Sequence, residues 1–109
     1  MSYSLRKITD WLKENNINNY SYIEDEGRSF YRSLPTGMYL KLNDTYSLSI
    51  QTDYRTAAYA FCETMLINDI SKNLEYNNDL GYSDPIRHYE QDDLFEHIKD
   101  LIEKLNTKK

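Results

Sequence analysis

The chain has 109 residues, with 13 Lys and Arg against 18 Asp and Glu, for a formal net charge of −5. That length fits one compact domain over 1–109, and its apolar runs fall well short of the roughly 20 residues that a membrane-crossing helix needs. The single cysteine, Cys62, excludes an internal disulfide and the usual structural zinc site. No charged-then-apolar leader opens the chain, so no secretory signal is expected.

In chain order, residues 4–15 read as an amphipathic helix. Ser4 is the expected N-cap, and Leu5, Ile8, Trp11 and Leu12 form one apolar stripe. The run Asn15, Asn16, Asn18, Asn19 ends it, because Asn tolerates the left-handed cap conformation. Ser21-Tyr22-Ile23 reads as a strand leading into the polar turn Glu24-Asp25-Glu26-Gly27-Arg28, with Phe30 to Leu34 returning from it. Pro35-Thr36-Gly37 makes a second turn. Met38, Leu40 and Leu42 then alternate with Tyr39 and Lys41, which is the period of a half-buried strand. After the turn Asn43-Asp44-Thr45, the residues Tyr46, Leu48 and Ile50 alternate with Ser47, Ser49 and Gln51.

Residues 56–70 fit either a helix face or a strand apolar on both sides; a strand would extend the meander. Residues 71–85 are polar, broken by Gly81 and Pro85, and read as a loop. From Asp92 to Leu105, Leu94, Phe95, Ile98, Leu101, Ile102 and Leu105 recur at helical spacing, with acids at the start and lysines at the end as the helix dipole favours. The expected fold is α+β: an antiparallel β-meander of about four to five strands, flanked by an N-terminal and a C-terminal amphipathic helix.

Nucleophilic chemistry at Cys62 with His88 or His97 as base would need an electropositive setting, whereas Phe61 and Glu63 flank the thiol. Cys62 therefore reads as a small buried hydrophobe. Asp93 and His97 share a helix face, and His88 precedes them. With 2 His and no second Cys, Asp93 reads as a first-turn acid, His97 as a solvent-facing side chain that pairs with it and His88 as part of the final strand, and neither a metal nor a cofactor is expected. Glycine-rich phosphate loops, nucleophile elbows and HExxH motifs are absent, and no catalytic residue is assigned.

Charge is more informative. Residues 1–41 hold 6 basic and 5 acidic side chains, whereas 44–103 hold 4 against 13. Phosphate neutralisation needs clustered Lys and Arg, so direct nucleic-acid binding is disfavoured and a basic partner suits the surface better. On the last helix Asp92, Glu96 and Glu103 form one exposed stripe and Asp93 and Asp100 its neighbour, with carboxylates one turn apart roughly 5–6 Å at Cβ. Such a run also serves ordinary helix stability and solubility. The 11 tyrosines add rigid, amphipathic contact surface, with Tyr39 outward on its strand and Tyr20, Tyr22, Tyr31 and Tyr54 near turns or outward positions.

In length, charge and composition the chain resembles the small host-directed inhibitors of phages and mobile elements, the anti-CRISPR and DNA-mimic proteins. That resemblance rests on no shared motif and carries over no residue. It implies a non-enzymatic inhibitor, encoded by a phage or mobile element and acting in the host cytoplasm, that blocks a basic or nucleic-acid-binding site on a host protein. Its expected contact residues are Asp92, Asp93, Glu96, Asp100 and Glu103, supported by Glu24, Asp25 and Glu26. An alternative is a nucleotide-sequestering protein using Arg55, Arg87, His88 and Tyr89, although strand alternation would split the last three between two faces. A third is an assembly component that forms a homo-oligomer through a sheet edge.

Overall fold

The computed structural model describes residues 3–23, 36–52 and 60–106. Helix α1 (Tyr3–Glu14) is followed by strands β1 (Tyr20–Ile23), β2 (Gly37–Lys41), β3 (Tyr46–Gln51), β4 (Cys62–Asn68), β5 (Asn73–Leu74) and β6 (Ile86–His88), and by helix α2 (Gln91–Asn106). The architecture is α+β, with an antiparallel strand meander and a helix at each end of the described chain.

The strands lie in the order β1-β2-β3-β4, and the far edge of β4 is shared by β5 and β6. Ile67 pairs with Leu74 at one end of that edge, and Cys62 pairs with His88 at the other. Between them the chain leaves the sheet, forms a 3-10 turn at Asn78–Leu80, and is closed by a bridge from Asn77 to Tyr82. The segment expected as loop thus carries a short strand, and Leu80 and fully buried Tyr82 anchor it to the core.

Strand periodicity puts Met38, Leu40, Leu48, Ile50, Cys62, Thr64 and Leu66 on one face, because directly paired residues in antiparallel strands point the same way. Leu5, Ile8 and Leu12 of α1 and Leu94, Ile98 and Leu101 of α2 join them in a single buried cluster. Tyr39 points away from that face and stays 43% exposed, as its alternation requires. Tyr20 and Tyr22, expected near turns or in outward positions, lie half-buried against the core, where the Tyr22 hydroxyl meets Thr9 Oγ1 at 3.0 Å. Gly37 permits close strand packing: a Cβ there would sit 2.7 Å from the Ile50 carbonyl oxygen.

One local expectation needs correction. Ser4 lies inside the first turn of α1 rather than at its N-cap. β1 pairs with β2, whereas the segment 30–34, expected to return towards β1, lies outside the described residues. Residues 62–68 take the strand alternative.

The asparagines shape the turns. Asn16 adopts φ 58° after α1, with its N–H on Lys13 O and the N–H of Ile17 on Leu12 O, the paired bonds of a Schellman cap. Asn43 accepts the N–H groups of Thr45 and Tyr46 through its side chain, Asn68 those of Ile70 and Ser71, and Asn77 those of Asp79 and Leu80. Each replaces backbone partners that a tight turn would otherwise leave to water.

Candidate functional site: the two sides of helix α2

Helix α2 is seated by its apolar residues, and its remaining circumference divides into three zones. The inner flank carries His97, which does not turn to solvent as its spacing from Asp93 suggests but reaches into a buried polar chain. His97 Nε2 lies 2.7 Å from the Tyr82 hydroxyl, Tyr82 lies 2.6 Å from Thr64 Oγ1, and Thr64 Oγ1 lies 2.9 Å from His88 Nε2. Three bonds need three protons. They can run from His88 through Thr64 and Tyr82 to His97, or in the opposite sense, and both arrangements satisfy every group with neutral rings.

The environment keeps both rings neutral. Burial lowers the His88 pKa to about 4; the adjacent His97 lowers it further, and Asp93 acts in the other direction. The two ring centroids are 5.0 Å apart. Burial also lowers His97, against the pull of Asp100 and with the push of Lys104. Tyr82 is raised above its ordinary value, chiefly by burial. Cys62 stands beside His88 in the strand register, but burial and then Glu63 push its thiol up to about 12. A thiol held in that state is not poised as a nucleophile.

The outer zone is acidic. Asp92, Asp93, Glu96, Asp100 and Glu103 are all solvent-exposed, with Asp100 tied to Lys104 one turn on at 3.0 Å. The two stripes expected from helical spacing have different neighbours. Asp93 and Asp100 lie on the histidine side and act on those rings. Asp92, Glu96 and Glu103 border the other side, where α2 meets α1.

That third zone is an aromatic groove. The rings of Trp11 and Phe95 stack in parallel at 4.6 Å, and Phe61 meets Phe95 edge-on at 6.5 Å. Trp11, Phe95, Asp92, Glu96 and Lys99 enclose about 340 Å³ of open groove. It continues as a more apolar trough of about 480 Å³ past Ile17, Ile102, Glu103 and Asn106. Lys99 lies between the two parts, its ammonium 5.8 Å from the Trp11 ring centroid.

The other sequence candidates do not converge. Glu24, Asp25, Glu26 and Arg55 lie outside the described residues. Arg87 is on the sheet face opposite the helices, 3.7 Å from Glu63, whereas His88 is buried beneath α2 and Tyr89 is 66% exposed beyond the strand. Alternation divides Arg87 from His88, as its period of two demands. Among the described residues no three His, Cys, Asp or Glu side chains stand close enough to hold a metal ion. No described helix is long and apolar enough to cross a membrane.

Sequence reasoning assigns Trp11 and Phe95 to apolar stripes and misses the groove that they line. Their positions at the edges of those stripes are the available signal. Thr64 and Tyr82 give none, since their meeting depends on how the excursion after β5 folds back. Comparison with known protein families, curated proteins and solved structures found no match.

Proposed function

We propose that the protein is a non-enzymatic, protein-binding inhibitor whose docking surface is the outer side of α2, and that its target presents a basic or nucleic-acid-binding site. The observation that carries this reading is the exposure of all five helix acids, three of them (Asp92, Glu96 and Glu103) bordering an aromatic groove, on a helix fixed in place by Leu94, Ile98 and Leu101. A rigid row of carboxylates steers a cationic surface towards it. The adjoining aromatic rings supply the apolar contact that charge alone lacks. Competition with a nucleic acid for the same basic surface is the mechanism, in the manner of the small inhibitors of phages and mobile elements that act in a host cytoplasm.

The test is charge reversal. Glu96→Lys combined with Asp100→Lys introduces cations on both stripes without touching the buried face of α2. The double variant should keep its circular dichroism and thermal transition yet lose capture of the partner from a host lysate. A folded double variant that captures the same partner as strongly as the wild type contradicts the reading.

A further inference from the structure

We infer that the groove between α1 and α2 is a seat for an arginine side chain of the partner, an assignment that rests on reading the outer side of α2 as the docking surface. Three features converge on a planar cation. The stacked Trp11 and Phe95 rings present aromatic surface to the groove, and aromatic faces attract cations through their quadrupole. Asp92 and Glu96, one turn apart on α2, place two carboxylates at its rim, where a guanidinium can pair with an acid while its plane lies against a ring. The third feature is that a cation already uses the site: the Lys99 ammonium sits within cation–π range of the Trp11 ring.

Lys99 is a weaker occupant than an incoming arginine. An ammonium is compact and strongly hydrated, whereas a guanidinium is planar, less hydrated and donates in a fork. Lys99 is exposed on a flexible stem and can swing into solvent when the seat is taken. Arginine from the partner would then replace an internal cation–π contact with one that also engages Asp92 and Glu96.

Trp11 is the single tryptophan of the chain, so its fluorescence reports on the groove directly. The full-length protein is titrated at low salt with capped triarginine, trilysine and tricitrulline peptides. Triarginine should give a saturable change in Trp11 emission, trilysine a weaker one, and uncharged tricitrulline none. Asp92→Asn with Glu96→Gln should abolish the response. Lys99→Ala, which removes the internal competitor, should tighten triarginine binding about two- to fivefold. The inference is overturned if triarginine gives no saturable change, if citrulline matches arginine, or if Lys99→Ala fails to tighten binding.

The two readings fail separately. A silent Trp11 together with partner capture that is lost on reversal of Glu96 and Asp100 removes the arginine seat and leaves the docking surface. A responsive Trp11 with capture unaffected by that reversal removes the docking surface instead.

Discussion

Replacing His88 with glutamine should flatten the acid sensitivity of the fold. The His88→Gln side chain keeps an amide N–H where His88 Nε2 meets Thr64 Oγ1, but it takes up no proton. The His88 pKa stands at about 4 against an ordinary 6.5, and the residue is only 6% exposed, so little solvent screening applies. At about 1.4 kcal/mol per pKa unit, the preference for the neutral ring contributes about 3 kcal/mol. The folded pKa is depressed, and the group is cationic when protonated. Its contribution is therefore complete above pH 6.5 and is lost as pH falls towards 4, because the unfolded chain takes up the proton first.

Urea unfolding of both proteins at steps from about pH 7.5 to about pH 4 measures this, since carboxylates common to both cancel in the difference. Relative to its offset at neutral pH, the His88→Gln variant should gain about 3 kcal/mol on the wild type across that range. For a domain of this size that corresponds to a Tm difference on the order of 10 °C. An offset that stays constant with pH would refute the argument.

Thr64→Val keeps the shape of the side chain but leaves Tyr82 and His88 without their shared partner; it should lower the unfolding free energy by about 2–3 kcal/mol, read by chemical denaturation. Asn16→Ala should destabilise by about 1 kcal/mol and Asn16→Gly should not, because the cap residue has φ 58°; thermal unfolding distinguishes them. Cys62 should resist a thiol-specific disulfide reagent in the native protein at neutral pH and react promptly in denaturant, since its thiol is buried and its pKa is about 12.

Local patterning makes much of this fold readable. The alternation of Met38 and Leu40 with Tyr39, and of Leu48 and Ile50 with their serines, marks β2 and β3, because successive side chains point to opposite faces of a sheet and the apolar ones all join the helices in the core. The heptad-like spacing of Leu94, Ile98, Leu101 and Leu105 marks α2 for the equivalent reason at 3.6. What escapes is set by tertiary pairing. β5 and β6 are too short to show a period, and their shared edge on β4 exists only once the intervening excursion has folded. The same fold-back brings Tyr82 to Thr64 and His97, from a segment whose polarity signals a loop. The acids of α2 are legible as an exposed face, but their division is not. Only the packing of α1 brings Trp11 beside Asp92 and Glu96, and only the pairing of β6 with β4 brings His88 within reach of Asp93.

The central claim is that the outer side of α2 docks a basic partner, and an affinity pull-down of tagged protein from a bacterial host lysate at low and high salt tests it most directly. The account predicts a stoichiometric nucleic-acid-handling protein retained at low salt and released at high salt, because attraction between exposed charges is screened. Retention of no protein at either salt, or of a partner indifferent to salt, would contradict it.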